Sequence, residues 1–556
     1  SDAHETAGIT NTQELTKITP GLNFSRGSYA PQATIRGIGL RGVNTGDESV
    51  VPIFIDGVYQ PFLLGGFIEL NNLERVEVLK GPQGALLGRN APGGATNLVT
   101  TTPSNEFKAK ASIGYGRFDL VEARGYISGG IGPVSADLGV IYYDDNGYMR
   151  NILTGRRTGN RDGFSLRSKL RFEISDATEA TLTYFHTEAF SAGNANAPVD
   201  GNTIGRRPGV GGVYSDRPYE ITSNLAFLET NQDGLALTLT IRGDAFDAHS
   251  IVSYQDNRGR APADSDGTSA LAAGFDNFYV SKSLYVENYL ASNGNGPFKW
   301  LGGMVYYNDL SSFDPLQAFS NGNLAQRAFS RQWTDSYALY GQASYDFTDA
   351  LTLTLSGRYT TEDKKAEFDL LIPVNRPGRR YADSFSRFTP TATLNYQISP
   401  DALVYLRYAQ AFKSGLFNSS TVSPTAVDPE NVKSYEVGIK SDPLSWLRVN
   451  LSGYYTDYKD IQVTSRDPVT GVTLLQNAAS ARIYGLEGDI TLRPARGLNL
   501  RAGFSWLKAT YRDFDNAVVT IPAVDGLGRP IGGNSSVVRG LSGRDLVKMA
   551  RLLANK

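Results

Sequence analysis

Residues 34–102 read TIRGIGLRGVNTGDESVVPIFIDGVYQPFLLGGFIELNNLERVEVLKGPQGALLGRNAPGGATNLVTTT. How that stretch is read decides the fold. Short β-type runs at 51–55, 76–79 and 97–101 alternate with loops dense in glycine, and nothing in them assembles a catalytic centre. Behind it, from Phe107 onward, the chain repeats one kind of hairpin. A small glycine-rich domain set in front of so many hairpins is most simply the plug of the barrel they build.

The hairpins alternate with period two. Leu447, Val449, Leu451, Gly453 and Tyr455 line one face of a run, and Arg448, Asn450, Ser452 and Tyr454 the other. Leu351, Leu353 and Leu355 face away from Thr352, Thr354 and Ser356, and Leu498, Leu500, Ala502, Phe504 and Trp506 from Asn499, Arg501, Gly503 and Ser505. Such alternation predicts half-buried strands. At about ten residues each they exceed the usual soluble strand and match a tilted strand crossing a bilayer. Short turns at 130–133, 175–178, 348–350, 399–402, 442–445 and 493–497 alternate with polar segments at 187–234, 259–277, 312–332, 370–383, 413–432 and 467–479. Short connections on one side and long loops on the other mark an outer-membrane barrel, whereas a soluble sheet protein keeps both ends short. Tyr142, Tyr143, Tyr306, Tyr307, Tyr454 and Tyr455 stand near strand ends, where aromatic girdles belong.

Composition agrees. A net charge of −2 over 556 residues leaves no basic excess for a nucleic-acid partner. Gly 59, Tyr 30 and Phe 26 against Met 3 is a β-rich balance, and Cys 0 suits an oxidising compartment. No apolar run is long enough for a transmembrane helix, and no signal peptide is visible. The expected fold is therefore an all-β membrane protein. Residues 1–104 form an N-terminal plug domain inside a large antiparallel transmembrane β-barrel of residues 105–556. The alternating segments number about 17. The tail DLVKMARLLANK looks helical, and a barrel ending there would leave bare edges in lipid. The expectation is a barrel incomplete at its C-terminus, about five strands short of the 22 of plugged transporters.

With these residues in hand, the chain resembles a TonB-dependent outer-membrane receptor. The match runs through Ile35-Arg36-Gly37, PIFIDGV at 52–58, LERVEVLK at 73–80, Gly81-Pro82-Gln83-Gly84 and GRNAPGGAT at 88–96 leading to Asn97. In the barrel it continues through QAFKSG at 410–415, Tyr435-Glu436-Val437-Gly438 and Tyr484-Gly485-Leu486-Glu487-Gly488. It covers essentially the whole chain; ITNTQELTKITPGLNF looks like the start of the plug, and the family's TonB box, which should precede it, is not in this sequence.

The resemblance implies a multi-pass protein of the Gram-negative outer membrane, in contact with outer-membrane lipid. It implies active import of a scarce ligand, energised by the TonB-ExbB-ExbD complex, with no enzymatic activity and no cofactor. Ferric siderophores lead as the ligand, with oligosaccharides, cobalamin and aromatic compounds open. The loops lack the dense cationic cluster that a highly anionic chelate favours. A passive channel and a surface-binding scaffold are the readings from other classes. The family also sets plug cations against two inward-facing barrel glutamates. By that resemblance Arg36 and Lys80 meet Glu436 and Glu487 as a plug–barrel latch. Lysine at position 80 forfeits the bidentate bond an arginine makes there. The plainer reading of all four is ordinary solvated charge.

Other motifs weigh less. Gly37–Gly42 is a literal GxGxxG with Asp56 downstream, but neither a buried strand leading in nor a helix leading out accompanies it, so the glycines serve tight turns. Residues 58–67 expose VYQPFLLGGF. Either Tyr59, Gln60, Phe62 and Phe67, with Arg41, face a ligand at the plug apex, or the segment packs against the inner wall. His4, His186 and His249 are too far apart to form a metal motif, and no nucleophile–base set stands at a usable spacing. Asp264-Ser265-Asp266-Gly267 lacks the remaining ligands of a Ca²⁺ loop and reads as a solvated turn.

Overall fold

The alternation along the chain becomes the two faces of a wall. The computed structural model describes residues 9–542, apart from 28–29, 41, 43, 67, 70–71, 193–204, 206–208, 223–225, 271, 374, 419–425, 467–472 and 525–529. Within them, 18 strands between Lys108 and Ser542 form one antiparallel sheet rolled into a barrel. No described helix is long and apolar enough to cross a membrane. The wall is inside out relative to a soluble protein. On strand Leu351–Ile372, Arg358, Thr360, Glu362 and Lys364 are buried toward the lumen, while Leu355 and Tyr359 lie exposed on the outer face. Leu235, Leu237, Leu339, Phe388, Leu406, Val437 and Leu486 continue that outer apolar band, which lipid covers.

All six short turns join consecutive strands through two residues, as between Ile131 and Val134 or Ser399 and Ala402. The long loops need correction. Residues 312–332 are not a loop: strands Phe298–Ser320 and Asn323–Thr348 run on until the pair Asn321-Gly322 turns them, with φ of 50° and 75°. That is the left-handed pair a two-residue hairpin requires. Likewise Phe246–Asp264, Ala273–Ser292, Leu351–Ile372 and Arg376–Ser399 absorb most of 259–277 and 370–383. Their polar residues look like loop because the lumen side of the wall is polar. Strands therefore reach 20 residues and more, about twice the expected length. The sheet has 18 strands where the alternation suggested about 17. Residues 545–556, read as helical, lie outside the described residues.

The plug comes first in the chain and fills the lumen. A 3-10 turn at Thr12–Lys17 is capped by the Asn11 side chain, which accepts from Glu14 N. Strands β1 (Leu22–Gly27), β2 (Ala30–Ile35) and β3 (Ile38–Gly39) form one small sheet. Strands β4 (Ile53–Ile55), β5 (Val58–Gln60), β6 (Leu73–Lys80) and β7 (Gly94–Thr100) form another in the order β5-β4-β7-β6. Both sheets share a core of Leu15, Leu22, Phe24, Ile35, Val51, Ile53, Ile55 and Leu98. At roughly 1.5–3 kcal/mol per large apolar side chain, this is a small core, and much of the remaining plug surface is satisfied by the wall. Phe54 and Tyr59 pack with Tyr285 and Tyr307, and Ile38, Leu40 and Val50 with Tyr458, Ile461 and Ile483. The GxGxxG segment holds the β2–β3 corner, and no helix opens from it among the described residues.

Candidate functional site

Arg36 stands at the corner of the β2–β3 hairpin. Ile35 pairs with Ile38, so Arg36 and Gly37 are the two turn residues, at φ of 52° and 77°. For a non-glycine residue that backbone costs on the order of 1 kcal/mol. The turn aims the guanidinium at the wall. Nη1 donates to Glu436 Oε2 at 2.8 Å, and Nη2 and Nε donate to Glu487 Oε2 at 2.9 and 3.1 Å. The Tyr405 hydroxyl donates to the other Glu436 oxygen at 2.6 Å, and the guanidinium carbon lies 4.1 Å from the Tyr454 ring centre.

All three charged side chains are buried, at 5, 11 and 4% exposure for Arg36, Glu436 and Glu487. Burial alone would lower the Arg36 pKa, but the two carboxylates outweigh it and hold the guanidinium above its usual range. Lys80 joins more loosely, with Nζ 3.6 Å from Glu487 Oε2, beyond a hydrogen bond. The structure thus brings Arg36, Lys80, Glu436 and Glu487 together. Glycine makes the approach possible: at Gly21, φ 82°, a Cβ would sit 2.6 Å from Glu487 Oε1.

Several plug–wall ion pairs escaped sequence reasoning. Arg89 pairs with Glu48 of the plug and with Glu362 of the wall, the latter through Nε at 2.7 Å. Asp47 meets Lys413 at 2.8 Å and Asp56 meets Lys169 at 3.1 Å. Glu69 faces Arg124 at 3.4 Å and Arg161 at 3.8 Å. Arg89 lies inside GRNAPGG, so its motif was visible. The signal for Glu362 was its place on an inward face with Thr360 and Lys364.

The other candidate residues resolve differently. Tyr59 is buried, donates to Glu48 Oε2 at 2.6 Å and meets the Tyr307 ring edge-on at 5.6 Å. Phe62 is buried with Leu64, Tyr279 and Phe313. Both pack against the wall instead of facing a vestibule, because an apolar run beside an apolar lumen patch is driven to cover it. Gln60 binds the Val58 carbonyl of its own strand at 3.1 Å and lines a cavity of about 60 Å³. Arg41 and Phe67 lie outside the described residues, as does His4. His186 is a strand residue 2.9 Å from Asp233, and His249 stacks on Tyr289. The Asp264 turn is buried, not solvated. Asp264 accepts the amides of Asp266 and Gly267, and Asp266 those of Thr268, Ala272 and Ala273, so the carboxylates are spent on their own loop.

A lipid-facing barrel whose lumen is filled by a separate domain, held there by buried ion pairs, defines a plugged outer-membrane receptor. Residues 1–95 match the TonB-dependent Receptor Plug Domain, and residues 97–535 the family described as TonB dependent receptor-like, beta-barrel. The chain belongs to the TonB-dependent receptor family, and its place is the Gram-negative outer membrane. It is 23% identical to the pesticin receptor of Yersinia enterocolitica, over 88% of this chain and 71% of that protein. To the ferripyoverdine receptor of Pseudomonas aeruginosa it is 23% identical, over 90% and 63%. Its fold is similar to that of the ferric yersiniabactin uptake receptor FyuA from Yersinia pestis. That comparison has a TM-score of 0.81 and 19% identity, and covers 92% of this chain and 78% of that one.

Proposed function

We propose that this protein imports a ferric siderophore across the outer membrane, with TonB-ExbB-ExbD supplying the energy, and that it carries out transport and no catalysis. The observation that carries the reading is the Arg36 cluster. A plug bonded to the wall by buried charges blocks the lumen at rest, and its ties are separate and local, so an applied force breaks them one at a time. The siderophore assignment is supported by the similar proteins, which include a ferripyoverdine receptor and catecholate siderophore receptors.

Uptake of an iron-55-labelled ferric catecholate or ferric pyoverdine by cells with and without TonB tests it. Uptake is expected to vanish without TonB, and undiminished uptake there sinks active import. If none of the iron chelates enters while cobalamin, an oligosaccharide or an aromatic compound does, the siderophore reading falls and the importer stands. Near-silence in a planar bilayer is expected and argues against a passive channel. A variant lacking residues 1–104 that keeps full ligand binding favours the surface scaffold.

A further inference from the structure

The Lys364 ammonium is buried in the lumen and has no hydrogen-bond partner among the described residues. An unpaired ion stripped of water is costly, so its position calls for a physical reason. Lys364 lies two residues beyond Glu362 on strand Leu351–Ile372. Residues two apart on a strand share a face and stand roughly 7 Å apart, within reach of a lysine side chain. Glu362 is already occupied. Arg89 of the plug holds one carboxylate oxygen, and the Ser414 hydroxyl donates to the other. Arg89 is also bound to Glu48, which belongs to the plug and receives the Tyr59 hydroxyl. The wall contributes the Tyr307 ring, whose centre is 4.9 Å from the guanidinium carbon.

We propose that Arg89 and Glu362 form a second plug–wall lock and that Lys364 is its relief partner. When the plug moves, Arg89 leaves with Glu48 as a neutral pair, and Lys364 swings onto Glu362, so neither side strands a charge. Breaking a buried pair is expensive mainly because of the charge left behind. A waiting cation lowers that cost on the wall side and lets a tightly closed contact open.

The inference rests on the reading that the plug must leave its seat. Its test uses no ligand, so the two readings fail separately. The purified receptor is placed in a planar bilayer, urea is raised in steps, and the rate at which the plug yields a conducting barrel is measured in potassium chloride. K364M is expected to slow opening about tenfold at a fixed urea concentration, E362Q to speed it, and K364R to stay within about twofold of the parent. In the E362Q background, adding K364M is expected to change nothing, because the wall carboxylate that Arg89 leaves behind is gone. If K364M has the same effect in both backgrounds, Lys364 is only a buried charge and the proposal is overturned. Opening as fast as or faster than the parent in K364M overturns it too. Heat-dependent gel mobility verifies that each barrel is folded, and K364Q carries the same comparison should K364M not fold.

Discussion

Arg36 and Glu69 are mirror images. One is a plug cation between two wall carboxylates, the other a plug carboxylate between two wall arginines. They differ in distance, and distance decides their chemistry. Arg36 touches its partners at 2.8 and 2.9 Å, so attraction outweighs burial and the charge is held firmly. Glu69 stands 3.4 and 3.8 Å from Arg124 and Arg161, and there burial wins. Its carboxyl is pushed up from 4.5 to about 7, with the arginines only partly offsetting desolvation. A buried ion pair is a lock only at contact distance. Glu69, further from its arginines and beside Glu122 and Glu14, titrates near neutrality instead.

Four measurements put that contrast to the test, each read as the free energy of plug release in urea. The largest effect is expected from R36Q, which strands Glu436 and Glu487 in the lumen and should weaken the seat by about 3–5 kcal/mol. Loss of less than about 1 kcal/mol would show that the Arg36 contact is not a lock. Second is the pH response at Glu69. A carboxyl whose pKa is higher in the seated plug than in the released chain contributes stability that is full below pH 4.5 and lost as pH rises through about 7. The seat should weaken across that window by up to about 3 kcal/mol, and E69Q should flatten the response. An unchanged slope in E69Q refutes the assignment. Third, G21A forces a methyl group toward Glu487 at a left-handed backbone position, and should cost about 1–3 kcal/mol. In an E487A background the cost should fall to the backbone strain alone, about 1 kcal/mol, if the clash is the rest of it. Smallest is K80A, expected below about 1 kcal/mol because the Lys80 side chain is 23% exposed to water and 3.6 Å from its partner. K80R should tighten the site by restoring a planar fork.

Much of the fold was legible in the chain because strand alternation is local. So was the Arg36 cluster, since its four charges sit in short motifs whose family arrangement names the partners. Arg89, Glu362 and Lys364 were not, for a physical reason. Arg89 and Glu362 meet only after hundreds of residues of barrel have closed around the plug, and nothing near either names the other. Tyr59 and Phe62 remained ambiguous because an apolar run looks the same whether it greets a ligand or a wall. The tall hairpins were misread because the polar residues on the inward face of the wall carry a loop's composition. Only Asn321-Gly322 gave local notice of the tightest of those turns.

Those hairpins have a consequence for how the outer mouth is made. Strand Asn323–Thr348 has 26 residues, which is roughly 85 Å of extended chain. Tilted by about 40°, it still climbs roughly 65 Å, against an apolar band of about 25 Å. A good part of it therefore rises above the lipid as paired backbone. Among the described residues, much of the mouth is a stiff collar of paired strands. A molecule arriving there meets side chains fixed at sheet spacing, and a change in what is admitted would come from exchanging residues on the collar's inner face more readily than from lengthening or shortening its rim.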